Sequence, residues 1–247
     1  MESSPRPDLA LAKKMLPKAL LEALSRIFSG GLSDCVLVGG SALSGFYAGH
    51  RRSDDLDLYT KDPASFKAVT LAAKQLPIDQ QHASAMYFRA NCTLAGHAFT
   101  IDVVQDPNLF QVGRWHQLEN DITVASLETL LMCKAATLVS RASEKDLYDL
   151  IWLFARFPEI DLSRLLQLGR EIDAGLNAES VLLSLAGAIL KEEACDFSLD
   201  PGISKKQIYA QIKSFRKQLL RELKDIKKVE TPPGLAEIVR RIKEIGS

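Results

Sequence analysis

The sequence predicts an α/β fold: a mixed sheet flanked by helices, followed by a C-terminal helical bundle. Three observations predict it. Apolar runs of strand length occur at 35–38, 56–59, 86–94 and 97–104, all in the first half. Helical spacing of apolar residues is interleaved with those runs. After residue 123 only the helical spacing remains, which sets an expected boundary between a domain at 1–123 and a helical domain at 124–247.

The elements follow in order. Residues 9–28 carry apolar positions at helical spacing and stop at Gly30-Gly31, a C-cap signal. Residues 35–38 read as a buried strand, ended by Gly39-Gly40. Ser41 reads as the N-cap of a helix reaching about Ala48. Residues 56–59, Leu-Asp-Leu-Tyr, alternate as a strand with one polar face. Asp62-Pro63 opens a helix to about Gln75. Residues 86–94 and 97–104 form an expected hairpin turned at Ala95-Gly96 and closed by Asp106-Pro107-Asn108. Residues 126–140, 143–157, 162–173, 178–191, 204–228 and 235–245 read as helices, with Thr231-Pro-Pro-Gly separating the last two.

Composition narrows the function classes. The 247 residues are 47% hydrophobic and 25% charged, ordinary for a soluble globular protein. Formal net charge is zero, so bulk charge announces neither nucleic acid nor membrane. Cys35, Cys92, Cys133 and Cys195 are far apart without a C-x-x-C pair, which argues against zinc and for a reducing, cytoplasmic setting. The N-terminus lacks a basic start followed by an apolar core, so no signal peptide is expected. The longest apolar stretch, 181–190, is too short to span a bilayer. His50, His82, His97 and His116 lack metal-ligand spacing.

Carboxylates carry the first chemical signal. Residues two apart on a strand share a face, so Asp55 and Asp57 project together while Leu56 and Leu58 enter the core. Two carboxylates about 7 Å apart along one face are costly without a cation between them. Mg²⁺ takes one or two carboxylates and completes its shell with phosphate oxygens and water. Asp102 sits alone in Thr-Ile-Asp-Val-Val, and would complete a three-carboxylate metal cluster if its strand lies beside Asp55–Tyr59. The same acids also fit a solvated turn followed by an edge strand.

Gly39, Gly40 and Ser41 carry the second signal. The glycines permit a tight bend and close approach of a ligand to the backbone, and a helix start favours a phosphate. An ordinary strand-to-helix turn has the same pattern. Neither a Walker loop nor a G-x-G-x-x-G fingerprint is present.

Together these residues resemble the nucleotidyltransferase superfamily, whose pattern is Gly-Ser, a helix, Asp-x-Asp and a later strand aspartate. The finer resemblance is to the AbiEii/AbiGii-type toxin nucleotidyltransferases. It rests on Gly39-Gly40-Ser41-Ala42-Leu43, on His50-Arg51-Arg52-Ser53-Asp54-Asp55-Leu56-Asp57-Leu58, on Lys134, and on Lys145-Asp146-Leu147-Tyr148-Asp149-Leu150, and covers about residues 36–154. The resemblance implies a nucleotidyltransferase-type sheet in the first domain. Asp55, Asp57 and Asp102 are then metal ligands for Mg²⁺ or Mn²⁺. Gly39, Gly40 and Ser41, with Arg51 and Ser53, are nucleotide contacts. Lys134 meets the triphosphate, and Asp146 is the acid that follows the helix lysine.

Spacing adds Arg141 and Lys145, which share a face with Lys134 if one helix continues through Ala142-Ser143. Such cations suit a polyphosphate, although a solvated basic stripe fits too. Residues 204–228 hold nine Lys/Arg beside an apolar stripe of Ile208, Ile212, Phe215, Leu219, Leu223 and Ile226. That segment reads as a packed surface helix, as a basic face for an RNA backbone or, as a third option, as a membrane-surface helix.

The expected activity is transfer of NMP from an NTP to an acceptor, with release of pyrophosphate. The resemblance implies a toxin–antitoxin or phage-defence context, an RNA acceptor such as the tRNA 3′ end, and a separate antitoxin. Alternatives are a small-molecule or protein hydroxyl as acceptor, or a non-catalytic binding module on the same fold.

Overall fold

The computed structural model describes residues 5–32 and 34–230, with backbone alone at 228–230. The single helix expected over 9–28 is two, α1 (Leu9–Met15) and α2 (Lys18–Phe28). Pro17 lies between them; it lacks an N–H and clashes with a preceding helical turn.

Among the described residues, seven strands form one sheet. They are β1 (Cys35–Val38), β2 (Asp55–Thr60), β3 (Ile78–Ala83), β4 (Tyr87–Leu94), β5 (His97–Gln105), β6 (Trp115–Gln117) and β7 (Thr123–Ala125), in the order β3-β4-β5-β2-β1-β7-β6. The pairs β2–β5 and β1–β7 are parallel and the others antiparallel, so the sheet is mixed as expected. The β4–β5 hairpin turns at Ala95 and Gly96, both at positive φ. β3, β6 and β7 are not signalled by the sequence. β3 is an edge strand whose residues from Asp79 to Ala83 are all exposed, so it has no buried face to leave a period-2 pattern.

Gly39 has φ +68, which lets the chain turn directly from β1 into α3 (Gly39–Leu43). A π-helical turn, Ser44–Ala48, continues it. Ser41 is therefore not the N-cap. Val38 holds that position, and Ser41 lies inside the helix, fully buried, with its hydroxyl donating to the Asp55 carbonyl.

α4 (Pro63–Ala73) begins at Asp62 with a capping box, and α5 (Pro107–Val112) is capped by Asp106 where a plain turn was expected. Then come α6 (Leu127–Thr137), α7 (Glu144–Arg156), α8 (Leu162–Ile172), α9 (Ala178–Gly187) and α10 (Lys205–Glu230). The chain does not continue as one helix from Lys134 to Lys145. Ser143 and Asp146 make a capping box that starts α7 afresh. The helix expected at 235–245 and the break at Thr231-Pro-Pro-Gly lie outside the described residues.

The boundary expected at 123/124 falls inside β7, which pairs with β1 at Leu37–Val124. One buried apolar cluster runs through both parts, joining Leu43, Phe46 and Leu56 to Leu130, Leu147 and Leu150. The expected stripe of α10 does pack: Ile208, Ile212, Leu219 and Leu223 are buried.

Candidate active site

The site is built on a row across the sheet. Val38 on β1 is in register with Asp57 on β2, Asp57 with Asp102 on β5, and Asp102 with Arg89 on β4. Adjacent strands lie about 4.8 Å apart, so the row brings the two carboxylates within one strand spacing. Alternation in β2 leaves Asp55, Asp57 and Tyr59 half-buried on one face and buries Leu56, Leu58 and Thr60 on the other.

Both glycines are demanded by this closeness. A Cβ on Gly39 would overlap Asp57 Oδ2, and one on Gly40 would stand 2.5 Å from the Arg51 guanidinium and 2.8 Å from Ser53 Oγ. The Asp57 carboxylate therefore lies against bare backbone at the start of α3.

A cleft of about 890 Å³, its open mouth included, opens over this row. Gly39, Gly40, Arg51, Ser53, Asp55, Asp57, Asp102, Lys134, Arg141, Lys145 and Asp146 all line it. The structure thus brings together every residue expected at the site except Ser41. Arg141 and Lys145 reach it from the turn between α6 and α7 and from the first turn of α7, not from a single helix face.

Beneath the cleft is a buried charge cluster centred on Asp149, which the sequence marked only as part of the Lys145–Leu150 motif. Arg51 donates to Asp149 through Nε and a terminal nitrogen, at 2.6 and 2.7 Å. Lys134 Nζ is 2.7 Å from Asp149 and 3.0 Å from Asp146. His50 Nε2 is 2.9 Å from the same Asp149 carboxylate, and its ring stacks on Tyr148 at 5.4 Å. The sequence placed His50 at the head of the His50–Leu58 motif, but not its partner, which is 99 residues away.

These contacts set the protonation states. Burial pulls Lys134 down, but Asp149 and Asp146 outweigh it and hold the ammonium above its usual range. Burial pushes Asp149 up, but Lys134 and Arg51 outweigh it and hold the carboxyl well below its usual range. Asp57 behaves oppositely. Burial pushes it up to about 6, Lys134 opposes, and the neighbouring Asp102 and Asp55 add to the rise.

A carboxylate raised in this way fits a cation partner. The donor set at Asp55 and Asp57 is hard oxygen, and the Gly39 cradle leaves their face open to the cleft. Among the described residues no three side chains stand arranged as a ready metal cage. Thr100 donates to Asp55, and Tyr87 donates to Asp102 Oδ1 at 2.5 Å while Arg89 approaches its Oδ2 at 3.4 Å. The fit is to an ion that arrives with phosphate oxygens, held by one or two carboxylates.

Tyr87 and Arg89 had no motif to mark them. Register could have found Arg89: counting back from the Ala95-Gly96 turn puts it opposite Asp102.

The match to a family model agrees with the motifs. The family model described as nucleotidyl transferase AbiEii toxin, type IV toxin–antitoxin system, matches residues 21–241. An uncharacterized protein of Aquifex aeolicus is 29% identical over 180 residues, spanning 70% of this chain and 82% of that protein. Among solved structures, JHP933 from Helicobacter pylori is similar at a TM-score of 0.48 and 15% identity, over 85% of this chain and 95% of that one. MenT4, a nucleotidyltransferase toxin from Mycobacterium tuberculosis, is similar at a TM-score of 0.49 and 14% identity, over 87% and 92%.

Proposed function

The chain belongs to the AbiEii nucleotidyl transferase toxin family of type IV toxin–antitoxin systems, and from that premise we propose that it moves NMP from a Mg²⁺-bound NTP to a terminal hydroxyl of RNA. Membership makes it a nucleotidyltransferase toxin, with a nucleotide substrate and an antitoxin as partner. The metal, the RNA acceptor, with the tRNA 3′ end as the preferred case, and a role in phage defence are the parts proposed here. With an RNA acceptor the reaction belongs in the cytoplasm. No helix among the described residues is long and apolar enough to cross a membrane.

The observation that carries the reading is the cleft itself, where the Asp55–Asp57–Asp102 face meets Lys134, Arg141 and Lys145. The cations would bind the triphosphate, with Lys134 as a fixed charge held by Asp146 and Asp149. The Gly39-Gly40 turn would let phosphate oxygens approach the backbone. Asp55 and Asp57 would hold the metal, and Asp102 would join them on release from Tyr87. A bound divalent ion supplies charge neutralisation at the phosphates and a lower pKa for the attacking hydroxyl. The acceptor oxygen attacks the α-phosphorus and the α–β bridging bond breaks. Pyrophosphate leaves with the bridging oxygen, and the hydroxyl proton passes to Asp102 or to water.

On α10, Lys213, Lys217, Arg221 and Lys224 line an open groove that offers RNA a second basic surface. Arg216 beside them donates to the Leu185 and Ala186 carbonyls and is committed to packing.

The test is to incubate the protein with each labelled NTP, Mg²⁺ and total RNA, and to size the labelled product. Label in an RNA band that disappears in Asp57→Ala supports the reading. Label in the protein, or pyrophosphate released only with small hydroxyl acceptors, would move the acceptor to another class. Unchanged transfer in Asp57→Ala at saturating Mg²⁺ would remove the metal assignment.

A further inference from the structure

The carboxylate row divides the cleft's cations into two unequal groups. On the α6–α7 side stand Lys134, Arg141 and Lys145, the set suited to a triphosphate. On the other side, one strand beyond Asp102, stands Arg89. It comes from β4, outside the motifs that mark the nucleotide site, and its side chain is 49% exposed.

Arg89 has two side-chain neighbours, Tyr87 and Asp102, and is half exposed. Its contact with Asp102 Oδ2 is 3.4 Å, beyond a good charge-assisted hydrogen bond. Asp102 has a stronger partner in the Tyr87 hydroxyl, at 2.5 Å on the other oxygen. Tyr87 can therefore keep Asp102 in place while the Arg89 fork turns to an incoming anion. A guanidinium presents five donors in a plane that match two phosphate oxygens.

The geometry points to Arg89 as the acceptor-side phosphate contact: it binds the phosphodiester adjacent to the hydroxyl that receives the NMP. This rests on the reading of the cleft as an NMP-transfer site, and deepens it by assigning the acceptor subsite. The hydroxyl to be extended has to lie over the carboxylates, between the triphosphate and the β4 side. The phosphate that precedes it in a polynucleotide then falls over the next strand, where Arg89 is. Beyond Arg89 the rim is open, because its register partner His82 on the edge strand β3 is exposed. A chain of nucleotides can leave the cleft by that route. An acceptor with no anion beside its hydroxyl has no use for Arg89.

The experiment compares wild type, Arg89→Ala and Arg89→Lys as full chains, each first shown to melt cooperatively. Three quantities are read: the Kd of a fluorescent NTP with Mg²⁺, the KM for total RNA in labelled-NMP transfer, and the salt dependence of RNA binding. In Arg89→Ala the nucleotide Kd should stay within about twofold while the KM for RNA rises roughly tenfold, the scale of a lost charge-assisted contact. The log–log salt slope should fall by about 0.7–0.9, one phosphate contact. Arg89→Lys should restore the slope but only part of the KM, since a point charge replaces a fork. A lower kcat with unchanged KM and slope would make Arg89 merely a support for Asp102 and overturn the inference. Weakened NTP binding would place it on the nucleotide side and overturn it too. If wild type binds NTP but labels no RNA, the acceptor inference falls while the nucleotide site stands. If wild type binds no NTP, the parent reading itself has failed.

Discussion

Arg51 and Asp149 form a buried two-pronged ion pair, at 2.6 and 2.7 Å, between the turn before β2 and the second turn of α7. The two residues are 98 positions apart, and the pair ties the sheet that carries the carboxylates to the helix that carries Asp146. Arg51 is 3% exposed and Asp149 0%, so neither charge can be left to water if its partner is removed.

Asp149→Ala should therefore destabilise the protein by about 3–5 kcal/mol, because Arg51 is left buried without its carboxylate and Lys134 keeps only Asp146. Arg51→Met with Asp149→Leu should cost much less than the two single changes together. Urea melts of the singles and the double give the coupling. Additive losses would mean that the pair does not act as a unit.

Gly39→Ala should lose both stability and activity. A side chain there is strained at φ +68 and overlaps the Asp57 carboxylate, for a combined cost of at least about 2 kcal/mol. Gly30→Ala is the control, since its Cβ would meet nothing within 4 Å. Thermal melts and transfer assays of the two variants should separate cleanly.

Asp57 gives a pH signature in metal-free protein. Its carboxyl is raised from 3.8 to about 6, so between those values the folded state holds a proton the unfolded chain has released. Stability contributed by this group falls as pH rises through that window. Asp57→Asn should then stabilise metal-free protein at pH 8 by on the order of 1–3 kcal/mol and change little near pH 4. Mg²⁺ should raise the Tm of wild type and not of the variant. The difference between variant and wild type, read by urea denaturation against pH, is the measurement.

His50 and Asp149 set the acid limit. Burial lowers His50 from 6.5 although Asp149 pulls the other way, so the unfolded chain takes up its proton first. Stability present above pH 6.5 is lost as pH falls through the folded value. Asp149, held well below 3.8, adds a second loss below that pH, as its carboxylate is protonated. His50→Gln should flatten the first stage and leave the second. A denaturation midpoint that changes between pH 7 and 5 by the same amount in wild type and His50→Gln would refute the role of His50.

Much of this was legible because the signals are local. The Ala95-Gly96 turn, the alternation in Leu-Asp-Leu-Tyr and the Asp62-Pro63 helix start each follow from neighbours in sequence, and the structure contains the corresponding elements. Most of the site was legible for the same reason: Gly39, Asp55, Asp57 and Lys134 lie in short motifs with recognisable spacing. Where local patterns were silent or ambiguous, the reading failed. β3 has no buried face, β7 has three residues, and Ser41 looks like a cap although Gly39 already turns the chain.

The sequence by itself determined the family, the α/β-then-helical order and the set of residues that could meet in one cleft, because motif spacing, periodicity and turn chemistry are written along the chain. Only the tertiary structure decided which charges are joined. It made Asp149 the centre of a buried cluster with Arg51, Lys134 and His50, put Arg89 beside Asp102, and gave the Ser41 hydroxyl to the backbone. Those choices depend on strand order and on which helix packs over the sheet. They place together residues about a hundred positions apart, and no local pattern records such a distance.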